Sequence, residues 1–227
     1  MSKIWDAIVI GGGAAGLFCA GVAGQLGKKV LLLDHAEVLC EKIRISGGGR
    51  CNFTNLHSSP ANFLSLNPSF VKSALARYPA KEFIKLVQSY RIAYHEKHQG
   101  QLFCDDSAKQ IIEMLLGECA KGHVVIRHPV TVDLISNEAG TWIVKTSSGI
   151  EKSTSLVMAT GGLPVPAIGA TAYSLDIAKQ FGLKVVEPRP ALVPLSFTSG
   201  EFDNLIELSG LSLPVFRLRP CSNLRPH

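Results

Sequence analysis

Ala7-Ile8-Val9-Ile10-Gly11-Gly12-Gly13-Ala14-Ala15-Gly16 is the stretch that decides the fold. Its four leading apolar residues suit a short, fully buried parallel strand. The glycines match G-x-G-x-x-G, and Leu17 to Leu26 continues as a helix. Each glycine has its own physical role. Gly11 permits the tight turn, Gly13 lets backbone approach a pyrophosphate, and Gly16 lets helix and strand pack closely. The start of such a helix offers unpaired N–H groups and the positive end of its dipole to an anion. Lys29 to Leu33 then reads as a second strand ending in Asp34, 18 residues past Gly16. A ribose-hydroxyl acceptor is expected there. A glycine turn alone is weak evidence, but a plain helix-capping turn leaves Asp34 unexplained. Strand, turn, helix, second strand and acid within one βαβ unit read as a dinucleotide site.

The next block selects the ligand. Lys42-Ile43-Arg44-Ile45-Ser46-Gly47-Gly48-Gly49-Arg50-Cys51-Asn52-Phe53-Thr54-Asn55 places three glycines before Arg, Cys and Asn. Such a backbone can hug a planar ligand and bring donors beside it, whereas a simple NAD domain proceeds directly to another βα unit. A flexible surface loop is the plain alternative, and the density of Gly, Arg and Asn argues against it. Leu156-Val157-Met158-Ala159-Thr160-Gly161-Gly162 reads as a buried strand ending in a second glycine turn aimed at the same cofactor. FAD is therefore the expected ligand.

These three blocks, with Gly100-Gln101-Leu102-Phe103 and Pro190-Ala191-Leu192-Val193-Pro194-Leu195, resemble the bacterial BaiN-like NAD(P)/FAD-dependent oxidoreductases from about residue 4 to about residue 215. The resemblance implies a glutathione-reductase-like FAD fold. It also implies FAD contacts at Gly11, Gly13, Ala14, Ala15, Gly16, Asp34, Lys42, Gly48, Gly49, Arg50, Cys51 and Asn52, with Val130, Thr160 and Gly161 as further candidates. The activity it implies takes hydride from NAD(P)H through FAD to an unsaturated or carbonyl small molecule. The expected architecture is α/β: a Rossmann-like FAD-binding domain over 1–188, its parallel sheet carrying a small antiparallel excursion. A strand-rich second domain would begin at 189–215 and be incomplete, because the family chain runs on and returns to the flavin. Residues 216–227 lack periodicity and read as a tail foreign to the pattern. A truncated, non-catalytic remnant that binds nucleotide weakly or not at all is the alternative function, and a plain NAD-dependent dehydrogenase a distant third. Two departures stand out: Ala172-Tyr173-Ser174 replaces a glycine followed by an acid-glycine pair, and Cys104 replaces a proline. An alanine at a positive-φ turn would be strained, and a capping acid would be lost.

No protein acid or base is evident in the sequence. In a flavoenzyme the ring does the redox chemistry and protein groups orient it. Arg50 suits either a phosphate or charge on a reduced ring, and Cys51 reads as packing more than as a nucleophile. The six cysteines form no C-x-x-C pair and the histidines lack metal-ligand spacing, so neither a metal nor a dithiol centre is expected. With 46% hydrophobic residues the chain can bury a core. No run approaches the ~20 apolar residues of a membrane span, and no signal peptide precedes the first strand, so a cytoplasmic protein without membrane contact is expected. Arg217, Arg219 and Arg225 supply much of the net +5; residues 1–216 carry +2 and their basic residues form no stripe along the chain. That pattern predicts no nucleic-acid partner. Helices are predicted over 68–78, 79–90, 108–121 and 172–181, with strands over 124–127, 130–135 and 142–146.

Overall fold

A computed structural model describes residues 4–164 and 169–189 of the chain. By contact the chain divides into Met1–Val185 and Val186–His227, and every helix and strand named here belongs to the first unit. The expected second-domain residues 190–215 and the tail 216–227 lie outside the described residues.

The glycine-bearing unit forms as its sequence dictates. Strand β1 (Ile4–Ile10) leads through the turn into helix α1 (Ala14–Gln25), which returns to strand β2 (Val30–Leu33). β1 and β2 pair in parallel, Ala7 opposite Val30 and Ile10 opposite Leu33. Strand β9 (Gly149–Met158) flanks β1 in parallel, and strand β6 (Val125–Arg127) flanks β2. Strands β8 (Thr141–Thr146) and β7 (Val132–Glu138) then extend the sheet antiparallel, giving the order β6-β2-β1-β9-β8-β7. The mainly parallel sheet with an antiparallel excursion is thus present.

Both faces of this sheet are covered, which is why its central strands are continuous apolar runs rather than alternating ones. Val9, Val30 and Leu32 pack beneath α1 and α5 (Lys109–Lys121) with Leu17, Ile111 and Leu115. Ile8, Ile10, Leu31 and Leu33 face the opposite side, with Ile135, Val144 and Ile177 of α6 (Tyr173–Gln180). Val30 to Leu33 are essentially inaccessible, and each such side chain contributes about 1.5–3 kcal/mol of burial.

Between β2 and α5 lies a second layer. Helix α2 (Glu41–Ile45) and a glycine loop lead into strand β3 (Asn52–Asn55); helices α3 (Lys72–Arg77) and α4 (Ala80–Ser89) follow; strands β4 (Tyr94–Glu96) and β5 (Gln101–Cys104) complete a small antiparallel sheet ordered β3-β5-β4. This sheet was not anticipated, because strands of three and four residues are too short to display a period. β9 is also longer than its apolar end suggested. Gly149 to Ser153 pair antiparallel with β8 and Lys152 to Met158 pair in parallel with β1, and Leu156 to Met158, expected to be buried, are half-buried. β7 begins at Val132, two residues after the expected start, and α3 covers only the later part of 68–78. α5 begins at Lys109 with Ala108 as its N-cap, and Ser107 Oγ receives the Lys109 N–H at 3.2 Å just before it.

Glu118 of α5 joins three helices. It accepts from Gln25 Nε2 at the end of α1 (2.9 Å), from Tyr90 beyond α4 (2.6 Å) and from Lys121 (2.7 Å). Burial works against the charged carboxylate, but these donors outweigh it and hold the group at about 2, below its ordinary 4.5. A depressed carboxyl adds stability that is full above its unfolded value and is lost as pH falls toward the folded one. Glu118→Gln is expected to cost about 1–2 kcal/mol at neutral pH. The gap to wild type should narrow between about pH 4.5 and 2, read from urea midpoints across that range.

Candidate functional site

The turn after β1 is held by contacts that exclude side chains. Gly11 adopts φ +111° and donates its N–H to Leu33 O at 2.8 Å. A Cβ there would run into the backbone of Ala159 and Thr160. Ala159 in turn donates to Ile10 O at 2.8 Å, so the exit of β9 lies directly against the turn. A Cβ on Gly16 would strike the Gly11 carbonyl oxygen, whereas one on Gly13 would meet nothing within 4 Å. Gly11 and Gly16 are therefore constrained by the protein itself, and Gly13 is not.

Gly13 is the N-cap of α1, in extended conformation with no side-chain cap and no acid in the first turn. The first helical bond is Leu17 N–H to Gly13 O at 3.0 Å, so the preceding N–H groups have no acceptor within the helix. Ala14 and Ala15 are exposed here. Opposite them, Asp34 ends β2. One carboxylate oxygen accepts the Gly12 N–H and the other accepts the Ala36 N–H at 2.7 Å. A carboxylate offers about four acceptor sites, so two bonds position this group without exhausting it.

These elements open onto one cavity of about 1480 Å³, roomier than the roughly 300–1,000 Å³ of ordinary small-ligand pockets. Of the residues singled out in the sequence, Gly11, Gly13, Ala14, Ala15, Asp34, Lys42, Cys51, Asn52, Val130, Thr160 and Gly161 line it. Gly16, Gly48, Gly49 and Arg50 do not. The glycine loop owes its shape to Gly47, Gly48 and Gly49, all at positive φ, with Gly47 pressed over the Phe103 ring. It is pinned from outside: Ala108 N–H donates to Gly49 O at 2.7 Å and Cys104 N–H to Arg50 O at 2.9 Å. A proline at 104 would lack that second donor, so the cysteine suits this loop. Val130 donates its N–H to Asp34 O at 2.8 Å and sits just before β7, not within it.

Lys42 supplies the cavity's sole lysine or arginine among the described residues. Its Nζ lies 3.7 Å from where a side chain on Gly161 would begin. The segment 169–176 closes another side, and Thr160 and Ser174 share a hydrogen bond between their hydroxyls. The departure at 172–174 causes no backbone strain, since Ala172 has φ −80°. Thr171 Oγ1 receives the Tyr173 N–H at 3.4 Å, a weak replacement for the capping acid. Burial, then the nearby Asp133 charge, pushes the Tyr173 hydroxyl up.

The remaining wall was missed in the sequence. Phe18, Phe63, Tyr78 and Phe83 line it; Phe83 reads as ordinary helical core because a cavity wall and a core face share one periodicity. Among the described residues Cys40, Cys51, Cys104 and Cys119 are buried. Burial pushes the Cys51 thiol up, Cys40 to about 12, and Cys104 and Cys119 to about 11. Among the described residues no group of His, Cys, Asp or Glu is placed to hold a metal.

In comparison with known proteins, residues 5–210 match the family described as HI0933-like protein Rossmann domain. A ribosomal RNA dihydrouridine synthase of Haemophilus influenzae is 50% identical, over 95% of this chain and 54% of that protein. One of Escherichia coli K12 is 47% identical, over 92% of this chain and 52% of its own length. A 3-dehydro-bile acid delta(4,6)-reductase of Clostridium scindens is 24% identical, over 86% and 48%. The chain thus spans about half the length of the curated relatives it matches. Among solved structures, L-proline dehydrogenase from P. horikoshii shares the fold, with a TM-score of 0.57 at 14% identity over 83% of this chain and 58% of that one.

The contrast between the glycines is testable without ligand. Gly16→Ala is expected to destabilise the protein by about 2 kcal/mol or more through overpacking, while Gly13→Ala stays within about 1 kcal/mol of wild type. Thermal unfolding of the two variants measures this.

Proposed function

The chain belongs to the HI0933-like Rossmann family of FAD-dependent oxidoreductases, and from that premise we propose that it binds FAD in this cavity and serves the reduction of a carbon–carbon double bond conjugated to a carbonyl, with NAD(P)H as hydride source and uridine in RNA as substrate. One observation carries the cofactor part: the glycine turn, the uncapped end of α1, the Asp34 carboxylate and the Thr160–Gly161 turn all converge on a single cavity. When bound, FAD supplies the two-electron chemistry, and the protein supplies orientation and electrostatics.

The chain's own residues take distinct parts in this reading. The N–H groups of Ala14 and Ala15 hold the pyrophosphate, with Gly13 leaving room for it. Asp34 uses its remaining acceptor capacity on ribose hydroxyls, and Val130 stands at the adenine end. Lys42 places its positive charge beside Gly161, where it meets a negative group of the cofactor. Cys51 and Asn52 form the surface against which the ring lies. Gly16, Gly48, Gly49 and Arg50 act by shaping and pinning the backbone. The domain division at 188, with a substrate domain starting at 189, and a cytoplasmic location belong to the same proposal. Among the described residues no helix is long and apolar enough to cross a membrane.

The substrate class is supported by chemistry common to the relatives. Forming dihydrouridine saturates a ring double bond conjugated to a carbonyl, and a 3-dehydro delta(4,6) bile acid presents the same electron-poor arrangement in a steroid. Both reductions add hydride to the β carbon and a proton to the α carbon. The higher identity lies with the two proteins named for RNA, so uridine is the substrate proposed.

Purified full chain is expected to be yellow or to take up one FAD per chain on titration. Gly13→Ala should lower FAD affinity about tenfold or more, since a Cβ there meets only the ligand. Incubation with FAD, NAD(P)H and unmodified ribosomal RNA should convert uridine to a product two hydrogens heavier, read by mass spectrometry of the digested RNA. A colourless protein that takes up no FAD would overturn the proposal in favour of a non-catalytic remnant.

A further inference from the structure

Positive charge in this chain is concentrated in one layer. From Glu41 to Cys104 there are nine Lys and Arg against three Asp and Glu, a net +6, although the whole chain carries only +5. Along the sequence these residues are spaced too widely to form a stripe, so the expectation of no nucleic-acid partner followed from their spacing. The fold gathers them into the layer made by α2, the glycine loop, α3, α4 and the small sheet. Arg44 is paired with Glu41 and Lys85 with Glu82. Lys42, Arg50, Lys72, Arg77, Lys81, Arg91 and Lys97 are exposed, and no ion pair engages them among the described residues.

The position of these cations relative to the cavity is what gives them meaning. Lys42 lines the cavity, and Arg50 adjoins Cys51, which also does. On another part of the wall, Tyr78, Pro79 and Ala80 line it at the α3–α4 junction, flanked in sequence by Arg77 and Lys81. The same layer exposes apolar side chains seldom left in water: Leu64 at 95%, Leu66 at 91% and Phe70 at 77%, with Phe63 and Tyr78 at the cavity wall. Cations that meet phosphates, in the same layer as the exposed rings of Phe63, Phe70 and Tyr78 on which unpaired bases can stack, are features of single-stranded RNA recognition.

We infer that this layer, centred on the α3–α4 junction, is the surface that docks RNA and delivers an unpaired nucleotide to the cavity. The inference rests on the RNA reading above and assigns it a face. The phosphates on either side of the target lie against the cations of α3 and α4, while the target base leaves the stack and enters between Phe63 and Tyr78. An unpaired base costs least to extrude, so loops and bulges are the preferred substrates. A bile acid, with a single carboxylate, would need little of this charge.

The test measures binding of a fluorescently labelled RNA hairpin, with uridines in its loop, to the full chain across a salt series. Arg77→Glu/Lys81→Glu is expected to weaken binding about tenfold or more and to make the dependence of log affinity on log salt shallower by about 1.5. FAD uptake should be unchanged. Lys72→Glu/Arg91→Glu provides a second, independent reduction of charge on the same layer. Lys28→Glu/Lys145→Glu makes an equal charge change elsewhere and should stay within about twofold of wild type. Layer variants that bind as tightly as wild type, a control that loses as much, or a chain that takes up FAD yet binds no RNA would each overturn the inference. RNA bound through this layer without uridine reduction would uphold the face and refute the substrate reading instead.

Discussion

The structure depends on a place where no side chain fits. β1, β9 and the start of α1 meet so closely that a single methyl on Gly11 or Gly16 would occupy space already taken by backbone of Ala159, Thr160 or Gly11 itself. That approach sets the end of β9 against the end of β1 and lays α1 flat across the sheet. It also fixes the first turn of α1, with its N–H groups uncapped, at the carboxyl edge of the parallel strands. Asp34 completes the arrangement, because its carboxylate is tied to the Gly12 N–H across the turn. Ligands of open α/β sheets bind at this edge for the same reason: the strands end together and the helix dipole points at what lies beyond them.

Much of this was legible in the sequence because the constraint acts locally. Ala7 to Gly16 and Lys29 to Asp34 carry the strand, turn, helix and acid in one short segment, and the structure brings them together as read. The turn at Thr160 and Gly161 was legible for a related reason, since an apolar strand running into glycines beside a parallel neighbour has little choice of where to end. The antiparallel excursion was legible as the strands predicted over 130–135 and 142–146, which pair as β7 and β8.

What was not legible depends on long-range assembly. The sheet of β3, β4 and β5 is built from strands of three or four residues whose pairing is decided by the glycine loop pressing on Phe103 and by Cys104 bonding to Arg50. No local period announces that. Phe83 looked like core because a cavity wall is, to a helix, simply another apolar neighbour. Glu118 gave no signal either; its three donors come from residues 25, 90 and 121 and meet only after α1, α4 and α5 have packed. The loop glycines were recognised as special, but Gly48, Gly49 and Arg50 stand outside the cavity lining while Cys51 and Asn52 are on it.

Apart from the side closed by 169–176, the cavity has two walls of different origin, and they answer to different demands. One consists of backbone at the ends of parallel strands, where geometry leaves almost no freedom of sequence. The other consists of side chains from an insertion between β2 and α5, where composition can change without disturbing the sheet. In the proposed reading the cofactor places its requirements on the first wall and on Lys42, Cys51 and Asn52 of the second, and substrate choice places them on the rest of the second. The concentration of unpaired Lys and Arg in that insertion, with Lys42 alone on the cavity lining, is thus more informative than the modest net charge of the chain. Cations left exposed beside a cofactor cavity add little to folding, whereas their combined field raises the local concentration of a polyanion and steers its approach. An insertion serving only a neutral small molecule would have no use for such a field, and it is this field that the proposed RNA partner would meet on that side.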